Sequence, residues 1–335
     1  MQFSAHESKV GVKLPREVVL ESVGCPLGCP PGDHFVLSGR DLVNFLPGEF
    51  RVVKCNGCGL MRTEPRPTLE SMSYFYPESY APYESTRVDT MEERESQHGA
   101  LRSFIQNCLR RFVKLHIDTT PEMEAGRMLE MGCASGAFLH RMSRKGWIAE
   151  GIELSDVAAS SARAAGHQVL TTSLEDAPQP QHPYDLIVGW MTLEHVHDPV
   201  KVLRKIHRWS KPGTWLTLSV PHAGSPGFRV FKESWFHLHL PNHLFHYTPA
   251  TLSNVLRAGG WKVERIFYQR DLGDLVASLG HFMNKRNLFR GLAERLASFP
   301  EWQGKLYLLF YPLSWFLSTI RLTGAMTIWA KRQDD

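Results

Sequence analysis

Arg127-Met128-Leu129-Glu130-Met131-Gly132-Cys133-Ala134-Ser135-Gly136-Ala137-Phe138-Leu139 reads as a short apolar strand that runs through a glycine turn into a helix. A side chain at Gly132 or Gly136 would keep a ligand from lying against the backbone, and the helix start behind the turn presents free N–H groups. This is the architecture of a nucleotide site, although such a turn can also need glycine for geometry alone.

The chain on either side of that turn keeps alternating between strand and helix. Trp147 to Leu154 is a second apolar run and carries Glu153, seventeen residues beyond Gly136, where a carboxylate at a strand tip can accept from both hydroxyls of a ribose. Val169 to Thr172 leads into Ser173-Leu174-Glu175-Asp176, where an adenine edge would lie. Tyr184 to Trp190 runs into Met191-Thr192-Leu193-Glu194-His195-Val196-His197. Lys211 to Thr214 reads as a turn before the strand Trp215 to Pro221, and Thr248 opens a helix that ends at Gly259-Gly260. Trp261 to Phe267 is a further strand, and Met326 to Arg332 a final one. Such alternation implies a parallel sheet with helices on both faces.

The ordered set Glu130/Gly132/Gly136, Glu153, Asp185, Glu194-His195 and Lys211-Pro212-Gly213 resembles the class I S-adenosylmethionine-dependent methyltransferases over residues 120–332. The resemblance implies an α/β fold, a Rossmann-like sheet of seven strands with the last antiparallel. It implies a cofactor site in which Glu130, Gly132, Ala134, Ser135 and Gly136 meet the methionine end and Glu153 the ribose. Ser173, Leu174 and Glu175 would surround the adenine, with Trp190 completing the site. Two positions depart from the family: Ala134 replaces the usual middle glycine, and Ser173 stands where an aspartate often reaches the adenine. A dinucleotide-binding dehydrogenase would need the full G-x-G-x-x-G to close on a pyrophosphate. The turn here is Gly-Cys-Ala-Ser-Gly-Ala, and a sulfonium cofactor needs no phosphate cradle, so methyl transfer is favoured over hydride transfer.

Cys25-Pro-Leu-Gly-Cys29 and Cys55-Asn-Gly-Cys58 are two close pairs separated by 25 residues. Paired cysteines on glycine-containing turns can bring four thiolates to one structural zinc, which predicts a small zinc ribbon with Cys25, Cys29, Cys55 and Cys58 as ligands. No apolar leader precedes them, which suits a reducing, cytoplasmic setting. From Cys25 to Glu64 the four basic residues are matched by four acidic ones, so the ribbon has no electrostatic footprint for nucleic acid. With the tyrosines that follow it, the segment resembles the N-terminal ribbon of bacterial methyltransferases acting on sugars in deoxysugar and surface-polysaccharide biosynthesis. That resemblance implies a ribbon that covers the cofactor domain and contributes to the substrate cleft; a stapled cap without catalytic duty is the alternative.

Length and composition leave room for one large unit and one small one: 335 residues, 43% hydrophobic, 21% charged, net charge +4. The expected division is a zinc ribbon over 1–80, a linker or lid with an amphipathic helix over 81–120, and the methyltransferase domain over 121–335 with an insertion at 270–324. The helix is read from Leu101, Phe104, Ile105, Cys108, Leu109, Phe112 and Val113.

Methyl transfer to a hydroxyl or carbon acceptor needs alignment and a base, and histidine has the pKa for that work. His195 follows the fourth strand at the sheet edge where ligands bind; it is a candidate base or a residue that orders its loop. His237, His239, His243 and His246 form a second cluster, with His243 the preferred partner of His195. That run would line the acceptor or, at the spacing His-x-His-x3-His, hold a metal.

Residues 306–320 are almost wholly apolar but too few to cross a bilayer, which takes about 20. Residues 283–333 carry eight Lys/Arg against two Glu, interleaved with aromatics. Basic charge with interfacial aromatics suits peripheral contact through 283–324 with the inner face of the cytoplasmic membrane; a buried hairpin or dimer contact is the alternative. The expected activity is therefore S-adenosylmethionine-dependent methylation of a small-molecule or lipid-linked saccharide acceptor. The alternatives are a quinone or other small natural product as acceptor, or a non-catalytic zinc-ribbon module on the same fold.

Overall fold

A computed structural model describes residues 14–76, 115–302 and 306–333. The expected lid at 81–98 and the amphipathic helix at 101–113 lie outside the described residues.

Three strands of the N-terminal part, β2 (Asp33–Gly39), β3 (Phe50–Cys55) and β4 (Met61–Thr63), form an antiparallel sheet, while β1 (Leu20–Glu21) pairs with β5 (Arg66–Pro67). The larger sheet is built from β6 (Arg127–Met131), β7 (Ile148–Glu153), β8 (Gln168–Thr171), β9 (Tyr184–Trp190) and β10 (Ser210–Pro221). The sequence between β10 and the next strand of that sheet returns to the N-terminal part: β11 (Phe245–His246) pairs with β4 and extends its sheet to four strands. β12 (Trp261–Tyr268) and β13 (Ala325–Arg332) complete a seven-stranded order β12-β13-β10-β9-β6-β7-β8, with β13 antiparallel to both neighbours.

Alternation along the central strands explains the helices on both faces. Leu186 and Val188 of β9 pack with Met128, Phe138 and Met142, beneath helix Ala137–Ser143. Ile187, one residue out of phase, packs on the other face with Leu203 and Ile206 of helix Pro199–Arg208 and Leu252 and Val255 of helix Pro249–Ala258. The latter two helices start where a side chain accepts a free N–H: Asp198 from Lys201, and Thr248 from Thr251 in a capping box.

The turn read at Lys211 to Thr214 is taken up inside β10 as a bulge. Ser210 pairs with Tyr184, the register then shifts to Trp215, and the Thr214 hydroxyl donates to the Tyr184 carbonyl while accepting from Lys211 N–H.

The insertion between β12 and β13 forms helices Gly273–Lys285, Arg290–Ala297, Phe299–Trp302 and Tyr307–Thr319. Among the described residues no helix is long and apolar enough to cross a membrane. Asp274 is buried at the start of the first helix, and burial, then the neighbouring Asp271 carboxylate, pushes its carboxyl up to about 7. The unfolded chain releases this proton near pH 4 while the folded chain keeps it, so the stability contribution falls as pH rises between those values and is level above. Three pH units correspond to about 4 kcal/mol. Asp274→Asn is expected to raise the urea midpoint at pH 8 and leave it almost unchanged at pH 4. Equal shifts at both pH values would place the effect elsewhere.

Candidate functional site

The decisive turn follows β6 with three left-handed residues, Gly132 (φ 66°), Ala134 (φ 45°) and Gly136 (φ 88°). Its backbone is strapped to the end of β7, with Gly132 N–H donating to the Ile152 carbonyl at 2.8 Å. The two glycines are needed for packing as well as angle. A Cβ on Gly132 would lie 2.9 Å from Thr192 Oγ1, and one on Gly136 2.9 Å from the Ala162 Cβ. The glycines thus let the Thr192 loop and the helix that carries Ala162 close on the turn. Ala134 accepts the left-handed angle that glycine would take more cheaply, at a cost of roughly 1 kcal/mol.

Glu153 ends β7 with both oxygens engaged. Oε2 accepts from Ala134 N–H and Oε1 from Ser155 N–H, each at 2.9 Å. Burial raises its pKa, against those two bonds. Glu130 lies inside the sheet, and burial holds its carboxyl well above the usual range. Among the described residues its Oε2 has no hydrogen-bond partner, and neither has the indole N–H of Trp190, which packs against Phe138 at 5.0 Å.

These groups border one cavity of about 850 Å³. Of the residues the family pattern puts at the cofactor, Glu130, Gly132, Ala134, Glu153, Ser173, Leu174, Glu175 and Trp190 line it; Ser135 and Gly136 do not border it. The Ser173 hydroxyl is engaged with Asp176, donating to Oδ2 at 2.7 Å, and Glu175 Oε1 accepts from His197 N–H. Ser173 is thus held within its own turn and Glu175 against the loop after β9, both on the cavity wall.

The other side of the cavity is histidine-rich. His195 closes the 3-10 turn Leu193–His195 after β9, and its Nδ1 lies 3.0 Å from the Asn242 carbonyl and 2.7 Å from the Tyr76 hydroxyl. A carbonyl only accepts, so Nδ1 carries the hydrogen and Nε2 the lone pair. His243 repeats the arrangement, with Nδ1 2.8 Å from the His237 carbonyl. The two rings stand perpendicular, 4.6 Å apart. Burial pushes His195 down to about 3 and His243 well below its usual value, so both imidazoles are neutral at physiological pH. His237 and His239 line the cavity too, whereas His246 is buried on β11 beside Thr63.

The N-terminal part supplies the remaining wall: Val43, Leu69, Met72, Ser73 and Tyr76. Tyr76, one of the tyrosines after the cysteine pairs, lines the cavity against a partner 119 positions away, which no local pattern reveals. Glu194 was quoted only as part of a motif. It is fully buried, burial pushes it up to about 8, and among the described residues neither carboxyl oxygen has a hydrogen-bond partner.

The four expected cysteine ligands are brought together. Their sulfurs lie within 4.8 Å of one another, with Cys25 and Cys58 3.5 Å apart. Each knuckle closes on a backbone bond, Gly28 N–H to the Cys25 carbonyl and Gly59 N–H to the Cys55 carbonyl, and each glycine is left-handed.

A family model described as a methyltransferase domain matches residues 96–266, half of the chain. The chain is 28% identical over 165 residues to a ubiquinone biosynthesis O-methyltransferase of Nitrosospira multiformis, covering 45% of this chain and 69% of the relative. A protein of the same description from Xanthomonas euvesicatoria is 29% identical over 164 residues, again 45% of this chain and 69% of the relative. Among solved structures, an S-adenosylmethionine dependent methyltransferase from Mesorhizobium loti is 20% identical, with a TM-score of 0.42 over 64% of this chain and 94% of that one.

Proposed function

The chain belongs to the methyltransferase domain family, and from that premise we propose that it methylates a hydroxyl of a quinone-type aromatic acceptor, with its N-terminal ribbon held by a structural zinc. The observation that carries the acceptor class is the apolar wall made by Val43, Leu69, Met72, Tyr76 and Phe236. A saccharide site would need hydrogen-bonding groups around several hydroxyls, and this face offers mainly the Tyr76 hydroxyl, the histidines lying on the other side of the cavity. The description of the relatives, ubiquinone biosynthesis O-methyltransferases, points the same way. What supports a saccharide instead is the ribbon's resemblance to that of sugar methyltransferases.

When bound, S-adenosylmethionine supplies a methyl carbon on a positive sulfonium, which an acceptor oxygen displaces in line while the bonding pair stays on sulfur. Glu153 accepts from the ribose hydroxyls. The unpartnered Glu130 Oε2 and Trp190 N–H fit the ammonium and carboxylate of an amino-acid end, one acceptor and one donor on adjacent strands. His195 and His243 take the acceptor side, where one neutral imidazole, its lone pair on Nε2, would receive the hydroxyl's hydrogen as long as no cation holds that lone pair. Zn–S bonds of about 2.3 Å make a tetrahedron with S···S edges of about 3.8 Å, which the cysteine cluster matches.

Calorimetry with S-adenosylmethionine and S-adenosylhomocysteine on zinc-counted protein is the first test, followed by turnover with polyprenyl catechols and with nucleotide sugars. Methylated catechol is the expected product. Turnover of the sugar alone would return the acceptor to the saccharide class, and no cofactor binding by folded protein would favour a non-catalytic module.

The insertion gives the acceptor a route. Leu309 (74% exposed), Leu313, Trp315 and Phe316 are exposed on helix Tyr307–Thr319, as is Phe289 (77%) nearby in the chain, among exposed arginines 286, 290 and 321. Pro300, next to the buried Phe299 that packs on Phe310, borders the cavity. This face rests on the anionic inner surface of the cytoplasmic membrane, where a lipid-borne acceptor resides. Sedimentation with anionic liposomes should fall sharply for Leu309→Glu/Phe316→Glu. No binding by the native chain at low salt would remove the membrane.

A further inference from the structure

Glu194, His195 and His243 place a carboxylate oxygen and two imidazole nitrogens within 4.8 Å of one another. Glu194 is 0% exposed, and among the described residues neither of its oxygens has a hydrogen-bond partner. A carboxyl buried in this way needs either a proton or a cation to meet it, and among the described residues no lysine or arginine pairs with it. The two histidines are prepared for the same role. Each fixes its Nδ1–H on a backbone carbonyl, His195 on Asn242 at 3.0 Å and His243 on His237 at 2.8 Å, so that each keeps a lone pair on Nε2. A backbone carbonyl on the far nitrogen is the usual support of a metal-ligating imidazole, since it sets tautomer and ring direction together. Tyr76 adds a second contact at His195 Nδ1, 2.7 Å away.

We propose that Glu194, His195 and His243 form a binding site for a divalent transition-metal cation at the acceptor side of the cavity. Two nitrogens and one carboxylate oxygen suit zinc, cobalt, iron or manganese and disfavour calcium and magnesium, which prefer all-oxygen shells. His195 and His243 border the cavity and Glu194 does not, so Glu194 ligates from behind and the open positions face the cavity. There they take an oxygen of the acceptor and favour its deprotonated form; that use rests on the methyl-transfer reading above, while the binding itself does not. The site is separate from the four cysteines, whose sulfur donors belong to the ribbon.

The test uses the full chain with the ribbon metal in place. Native protein, Glu194→Gln and His243→Gln are equilibrated with Co2+, desalted, and measured for total metal per chain, visible absorption and calorimetric binding of S-adenosylhomocysteine. The expected result is one metal more per chain in the native protein than in either variant, with cobalt bands that lack thiolate charge transfer. Equal metal content in all three, or cobalt absorption of thiolate character only, overturns the proposal. His243→Gln keeps the comparison valid if Glu194→Gln does not fold. A metal difference in protein that binds no S-adenosylhomocysteine would leave the metal site standing and remove the methyl-transfer reading.

Discussion

Replacing Glu153 by alanine is expected to weaken S-adenosylmethionine binding about 100-fold or more, measured by calorimetry on folded protein. The reasoning begins with the strand: β7 ends at Glu153 on the cavity, beside the turn that follows β6. A carboxylate there makes two charge-assisted bonds to a ribose, each worth about 1.5–3 kcal/mol, and every 1.4 kcal/mol is tenfold in affinity. The same carboxylate holds Ala134 and Ser155 N–H, so the substitution also loosens the turn. Two orphaned N–H groups cost about 1–3 kcal/mol each, and the thermal midpoint should fall along with affinity. Glu153→Gln separates the two effects, because its amide oxygen still accepts one of these bonds while the negative charge is gone. Full affinity in either variant would mean that the ribose is held elsewhere.

The central sheet was legible because its signals are local. Five apolar runs, each bounded by turn residues, reproduce β6 to β10 within a few residues, and the acidic strand end falls on the cavity. What the sequence could not show is what joins distant segments. Phe245–His246 is too short for any period to be read, yet it crosses to β4 and makes the two parts share a sheet. Tyr76 and His195 meet only because of that crossing, as do Thr63 with the His243 carbonyl and Asn242 with the Phe75 carbonyl. Glu194 sat in plain view beside His195, but only its burial distinguishes an unpartnered carboxylate from a solvated one. The insertion likewise gave an apolar run whose side of exposure no pattern revealed.

Cys55→Ser should abolish turnover while leaving S-adenosylmethionine affinity within a few-fold of native. Cys55 is buried at the end of β3, and a serine oxygen there cannot replace its thiolate toward zinc. A structural zinc, bound as proposed, would contribute on the order of 10–16 kcal/mol, as much as a whole domain's net stability, so its loss would loosen this sheet. The consequence reaches the site through named bonds. With the ribbon lost, β11 loses β4, the His243 carbonyl loses Thr63, His195 loses Tyr76, and the His197 carbonyl loses Arg66. The histidine wall then keeps only its own bonds to the Asn242 and His237 carbonyls, whereas the ends of β6 and β7, which carry Glu130 and Glu153, stay paired within the central sheet. Substitution is a cleaner test than a chelator, which would also strip a cation from Glu194, His195 and His243. The pair of readouts decides the matter. Lost turnover with retained cofactor binding makes the ribbon part of the acceptor site; retained turnover in protein that holds no ribbon metal would make it an independent appendage, and the apolar wall it contributes would cease to define the acceptor.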